Sequence, residues 1–428
     1  MACTGSGVRA RAAVVWLAGV IVVGACSGGG GGVGGGSPTV PPAGTAGGPA
    51  GGGSTGGAGG GSAAPQDSCA GLAPSFGLAV EALVDAGAAG DCAFATTNPD
   101  GQVALGIANT SGIAVELRSP ANTTLGTIQV LTPVPFGGGS RDVDPWFHWS
   151  SSGYHAIVYD LGAFPPLAFR AFRAYDASGL QLVQVGQFAI SSAPDGQGGS
   201  VLLAQDWQRT VQASGRSHAP QYVPSIGPMM LEWVDAAGSV TRSATIDGDP
   251  SLVLVNPGTG HVVAISLGAA AQARWFDATG QPLTPLFTIG DVVGTSIHLL
   301  VDGTVVVRDA GRWDVALQDG VSNPVAVPDW LAARPFTRLA TVRGGRGYAV
   351  LPDGTGADAS QFEIVTASGQ SCGTFAVPAP TVTATGSSMT SRLDVGPDGT
   401  LLQQLSRTVV PNPGGGQCAF RWWPALLR

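Results

Sequence analysis

The stretch "VNPGTGHVVAISLGAAAQARWFDATG", Val255–Gly280, carries two tight-turn signals around short apolar runs. Asn256-Pro257-Gly258 is the first and Asp277-Ala278-Thr279-Gly280 the second. In such turns a short polar side chain accepts from nearby backbone N–H groups, and glycine takes the positive φ that other residues resist. The run between them, His261–Leu267, is apolar over the length of a strand. It lacks the 3.6-residue recurrence of an amphipathic helix. The unit reads strand, turn, strand, loop, strand, turn, strand.

Both signals recur along the chain. The first returns as Pro99-Asp100-Gly101, Ser151-Ser152-Gly153, Pro194-Asp195-Gly196, Val301-Asp302-Gly303, Pro352-Asp353-Gly354 and Pro397-Asp398-Gly399, at a mean spacing near 50 residues. The second returns as Asp176–Gly179, Asp235–Gly238, Asp319-Gly320, Thr366–Gly369 and Pro413-Gly414. Between them lie further short runs with strand character, such as Phe169–Tyr175 and Thr304–Arg308. Only Leu78–Ala86 carries a helix-like spacing of apolar residues. Four-stranded units of this length in series resemble the blades of a β-propeller. Seven turn signals imply an all-β body of about seven blades over residues 69–428. A pair of β-sandwiches or a β-solenoid is the other architecture that such strands allow.

The chain ahead of this body reads differently. Arg9 and Arg11 precede an apolar run, Ala12–Val23, of about a dozen residues, short of the roughly 20 that a spanning helix needs. A basic head, a short apolar core and small residues at its end make a secretory signal. Those small residues meet a cysteine in Val23-Gly24-Ala25-Cys26, which resembles the lipobox of bacterial lipoproteins. The resemblance implies removal of residues 1–25 and acylation of Cys26, so that lipid attaches the chain to a membrane. Ser27 replaces the aspartate that holds many of those lipoproteins at the inner membrane, which implies the outer membrane of the bacterial envelope. Residues 27–68 are mostly glycine, with Ala, Pro, Ser and Thr. Such a chain buries too little apolar surface to offset its conformational entropy. As a flexible tether these 42 residues have an end-to-end distance of roughly 35 Å.

Beyond Cys3 and Cys26 the chain holds Cys69, Cys92, Cys372 and Cys418. An oxidising compartment would pair them in two disulfides, and four cysteines allow three pairings. Cys372 and Cys418 each follow a second-turn signal in neighbouring units, and matching places on adjacent blades diverge beyond the roughly 7 Å limit on Cα separation. With that pair set aside, both remaining pairings join the start of the body to its end and would fasten the ring.

The chain has no lysine; its 20 basic residues are all arginine. This excludes a P-loop lysine, a Schiff-base lysine and a Ser–Lys dyad, and with the first, Walker-type nucleotide binding. A net charge of −8 without an arginine cluster in the sequence lacks the footprint for nucleic acid or anionic membrane surfaces. No H-E-x-x-H or C-x-x-C stands in the chain, so zinc chemistry has no motif. One constellation repeats: D-x-D-P, an apolar run, a glycine turn and a histidine. It places Asp142, Asp144 and His155 in one copy and Asp247, Asp249 and His261 in the other. Paired carboxylates where the chain enters a blade could hold Ca²⁺, or could simply cap the loop ahead of a proline. The first copy adds Trp146, His148 and Trp149, which suit a sugar ligand or packing between blades. Two functions follow. One is a non-catalytic module binding a protein, glycan or small ligand of the envelope. The other is a hydrolase or lyase acting on envelope glycans. Missing catalytic motifs favour the first.

Overall fold

The run Val262–Ile265 is buried at every position, and Ser200–Gln205 and Gly347–Pro352 are nearly so. Strands with both faces covered read as continuous apolar runs, which is why these segments do not alternate. By contrast Val240–Ile246 and Ser371–Ala376 are mostly exposed or half-exposed. These buried runs are each the second strand of a blade, and the exposed ones the outer strand. The computed structural model describes residues 68–87, 91–109, 112–131, 147–160, 169–185, 188–205, 228–292, 296–309, 311–353, 360–379, 389–407 and 416–428. Cys26, Asp142, Asp144, Trp146 and the tether lie outside the described residues.

Among the described residues seven antiparallel blades follow in chain order, the first two joined into one sheet. The first strand, β1 (Val80–Gly87), belongs to the last of them. Blade 1 is β2 (Asp91–Thr97), β3 (Val103–Asn109), β4 (Gly112–Arg118) and β5 (Thr124–Leu131). Blade 2 is β6 (Phe147–Trp149), β7 (Gly153–Asp160), β8 (Phe169–Asp176) and β9 (Gln181–Val185), joined to blade 1 by one bridge between Leu131 and Tyr159. Blade 3 is β10 (Phe188–Pro194), β11 (Ser200–Gln205), β12 (Met229–Val234) and β13 (Val240–Ile246). Blade 4 is β14 (Leu252–Val255), β15 (Val262–Ile265), β16 (Gly268–Phe276) and β17 (Phe287–Val292). Blade 5 has β18 (Ser296–Leu299), β19 (Val305–Asp309) and β20 (Arg312–Leu317), its fourth strand reduced to a bridge from Ala316 to Val325. After the single turn of α1 (Asp329–Ala332), blade 6 is β21 (Thr337–Val342), β22 (Gly347–Pro352), β23 (Gln361–Thr366) and β24 (Ser371–Ala376). Blade 7 is β25 (Met389–Val395), β26 (Leu401–Arg407) and β27 (Gly416–Trp423), completed on the outside by β1.

The ring is written in the core. Among the described residues seven apolar clusters lie at the seven interfaces between consecutive blades. Blades 7 and 1 meet through Ala82, Leu402, Phe420 and Trp422 against Cys92, Val103 and Leu105. Blades 3 and 4 meet through Val201, Leu203 and Leu231 against Val262, Ala264 and Phe276. The seven-bladed propeller expected from the turn spacing is therefore the fold.

Three local readings change. Leu78–Ala86 is not helical. Its register with β27, Ala82 opposite Phe420 and Val84 opposite Cys418, buries Ala82 and leaves Leu83 exposed. Without β1 the ladder groups of β27 would stand open, and that pairing overrides a nine-residue pattern. Pro352-Asp353 lies after β22, so it does not turn the first strand of blade 6 into the second. Arg343-Gly344-Gly345 does, with φ of 55°, 61° and 89°. Finally, Cys372 and Cys418 do not occupy matching places: one is on the outer strand of blade 6, the other on the third strand of blade 7.

The inference about the disulfides nevertheless stands. Cys69 pairs with Cys372 (Cα–Cα 5.3 Å) and Cys92 with Cys418 (5.5 Å), so both join the start of the body to its end. Cys92–Cys418 links the inner strand of blade 1 to blade 7. Cys69–Cys372 fixes the segment before β1 to blade 6, where Leu72 is fully buried and Phe76 packs edge-on to Trp423.

Candidate functional site

The sequence candidates on β6 divide by strand alternation. Phe147 and Trp149 face blade 1. Phe147 lies 5.4 Å from Phe94 and stacks on Tyr154 at 5.1 Å, and Trp149 meets Tyr154 edge-on at 5.0 Å, all between ring centroids. Trp149 thus packs partly buried against the core between blades 1 and 2. His148 points the other way, toward blade 3.

There it enters a polar cluster. Ser200, at the start of β11, is fully buried and has two imidazole nitrogens against its hydroxyl: His148 Nε2 at 2.7 Å and His155 Nδ1 at 2.6 Å. His155 Nε2 lies 3.2 Å from the carbonyl of Ala236. A carbonyl only accepts, so His155 carries its proton on Nε2 and its Nδ1 accepts. The Ser200 hydroxyl then donates to His155, and its oxygen accepts from His148 Nε2–H. His148 Nδ1 is left unprotonated, buried and without a partner among the described residues. Burial holds both imidazoles neutral. The pKa of His148 falls from 6.5 to about 3, first by desolvation and then by the neighbouring His155. Desolvation also lowers that of His155, against the opposing pull of the Ala236 carbonyl, Asp195 and Asp235. A one-directional hydrogen-bond chain therefore crosses from the inner strand of blade 2 to a turn of blade 3. It adjoins the smallest apolar interface among the described residues, made by Ile157, Phe172 and Ala174 against Ala189, Leu202 and Val234.

His155 and His261, aligned by the repeated D-x-D-P pattern, do occupy equivalent places. Each stands near the start of its blade's second strand and reaches the outer turn of the next blade. His155 reaches Ala236, in the turn of blade 3. His261 Nδ1 reaches Asp319 Oδ1 at 2.7 Å, in the turn of blade 5. Asp319 Oδ2 also accepts from Asn256 Nδ2 and Thr259 Oγ1, each at 2.8 Å. Blade 1 uses Gln102 in the same way: its amide donates to the Ala177 carbonyl at 2.9 Å in the turn of blade 2. The repeated residue is thus a connector between blades.

The D-x-D-P aspartates of the second copy lie in the loop from β13 into β14. Asp247 and Asp249 are both exposed. Asp247 pairs with Arg274 Nη1 at 3.1 Å, which brings a cation to that loop. Among the described residues no group of three or more His, Cys, Asp or Glu is gathered to hold a metal ion.

Ser200 and Asp319 were not singled out by the sequence. Ser200 follows a glycine turn as many serines here do, and Asp319 reads as ordinary turn chemistry. Only the juxtaposition of neighbouring blades gives them their partners.

No family model matches the chain, and no curated protein matches it. Solved structures do. The propeller of Dos1 aligns at a TM-score of 0.43 with 10% identity, over 83% of this chain and 95% of that one. A streptogramin B lyase aligns at 0.43 and 10%, over 79% and 97%. The C-terminal WD40 domain of Sif2 aligns at 0.43 and 9%, over 80% and 98%.

Proposed function

We propose that this chain is a lipid-anchored protein of the bacterial envelope whose propeller is a non-catalytic binding or scaffold module. In this reading Cys26 carries the lipid, residues 27–68 are the tether, and the outer membrane is the destination. The observation that carries it is the pairing of all four body cysteines in two disulfides. Paired cysteines belong to an oxidising compartment, beyond the cytoplasm. The binding role is supported by what the polar residues do: His148, His155 and His261 connect blades, and Asp247 pairs with Arg274. The partner would be an envelope protein, glycan or small ligand, with Ca²⁺ at the D-x-D-P loops as a further candidate.

Metabolic labelling with a clickable palmitate tests the anchor. The wild-type chain incorporates label into the membrane fraction, and Cys26→Ser does not. An unlabelled wild-type chain would remove the anchor from this account. Thermal-shift measurements on full-chain Cys26→Ser with Ca²⁺ and soluble peptidoglycan fragments test binding, since a ligand of the folded state raises its stability. Turnover of a fragment, rather than a shift alone, would replace the binding module with a glycan hydrolase or lyase.

A further inference from the structure

A cleft of about 370 Å³ opens between the segment that leads into β1 and the turn that follows β27. Ser75, Gly77 and Leu78 line one side; Arg343, Trp423 and Leu426 line the other. Two of these residues bring buried donors with no partner among the described residues: Arg343 Nε and Trp423 Nε1. Trp423 is only 2% exposed, so its indole N–H has no ready recourse to bulk water. Buried donors without acceptors are rare and ask for an explanation, and two at one cleft ask for an acceptor that enters it.

The backbone points the same way. Arg343 has φ of 55° ahead of Gly344 and Gly345, which share its left-handed conformation. Glycine would take this position without strain, yet arginine stands there. The strained residue is held by its N–H to the Leu427 carbonyl at 2.9 Å and by Nη1 to the main-chain oxygen of Arg428 at 2.5 Å. Arg346, on the same turn, donates from Nη2 to the Ala70 carbonyl at 2.7 Å. Arg343, Arg346 and Arg428 thus meet at one corner. None of them pairs with a side-chain carboxylate among the described residues, whereas Arg118, Arg274, Arg308, Arg334, Arg338 and Arg392 all do. In a chain of net charge −8 this corner has the opposite sign. Beside it Leu78 is 97% exposed.

Guanidinium groups suit the oxygens of a phosphate, an indole N–H adds a donor, and an exposed leucine suits acyl chains. The corner also stands where the chain arrives from residue 68. We propose that it is a phosphate-binding site that docks the propeller against an anionic phospholipid surface. That choice of surface rests on the anchored reading above; the oxyanion site does not.

Vesicle cosedimentation with full-chain Cys26→Ser tests the docking without the acyl chain, and its outcome is independent of palmitate labelling of the wild type. The protein sediments with phosphatidylcholine vesicles that contain phosphatidylglycerol, not with phosphatidylcholine alone, and high salt releases it. Adding Arg343→Gly and Arg346→Gln weakens this binding by about tenfold or more. Arg343→Gly relaxes the backbone, so an unchanged melting temperature separates lost binding from lost folding; Arg343→Lys with Arg346 intact retains binding. Equal sedimentation with both vesicle types, or no effect of the arginine variants, overturns the proposal. So does stabilisation by glycerol phosphate without vesicle binding, which would assign the site to a soluble phosphate ester.

Discussion

Ser200 has one proton and two imidazoles, and that imbalance fixes the state of both histidines. Removing the hydroxyl leaves His148 Nε2–H without its acceptor and His155 Nδ1 without its donor, inside the protein. Ser200→Ala should cost about 1–3 kcal/mol, the usual penalty for stranding buried polar groups, and Ser200→Thr much less, as read by urea denaturation. The same cluster sets a pH dependence. The unfolded chain protonates these imidazoles near 6.5, whereas the folded chain protonates His148 only at about 3. Protons therefore favour the unfolded state, and stability that is complete above about 6.5 declines as the pH falls toward 3. His298, lowered to about 4 by burial, adds to the same decline. His148→Gln should flatten the fall of the urea midpoint between neutral and mildly acid pH. An unchanged slope would show that His148 is already charged in the fold. None of this was legible in the sequence, where His148 stood out as a ligand candidate beside Trp149. Strand alternation sends the two side chains to different interfaces, and a list of residue types does not contain that.

At the scale of turns and strands the sequence was more explicit, because Asp–Gly turns have their own chemistry. Asp176 Oδ1 accepts from the backbone of Ser178 and Leu180 and from the Ser178 hydroxyl. Asp277 repeats this with Thr279 and Gln281. These hydrogen bonds, chiefly those from the Ser178 and Thr279 hydroxyls, hold both carboxyls below their ordinary pKa. Where a turn lacks that chemistry, the reading failed. The outer turn of blade 1 is closed by Asn122 at φ of 72°, and the first turn of blade 6 is Arg343-Gly344-Gly345. The repeated histidine was visible, and its partner was not. Asp319 gathers His261, Asn256 and Thr259 from the preceding blade, so Asp319→Ala should destabilise the protein by about 1–3 kcal/mol. Asp319→Asn retains an acceptor and should cost less. If denaturation places Asp319→Ala level with the wild type, this contact between blades is ornamental.

Across the whole molecule, the ring must be shut by pieces from opposite ends of the body. β1 supplies the outer strand of blade 7, and the two disulfides span 303 and 326 residues. Each closes a long loop in the unfolded chain and should contribute about 2–4 kcal/mol. Their exposure differs: Cys69 and Cys372 are half-buried, while Cys92 and Cys418 are buried at 4% and 1%. Graded reduction of the folded protein should therefore open Cys69–Cys372 first, with Cys92–Cys418 yielding only as the ring unfolds; alkylation and mass spectrometry read the order. The net charge spoke for the molecule as a whole but concealed its distribution. Arg343 and Arg346 share one turn of blade 6, and Arg428, some 80 residues further along the chain, meets them only because blade 7 packs on blade 6. The central claim is that closure itself. Peptide mapping of the non-reduced protein tests it most directly: the account predicts fragments joined through Cys69–Cys372 and Cys92–Cys418, and recovery of Cys69–Cys92 or Cys372–Cys418 would contradict it.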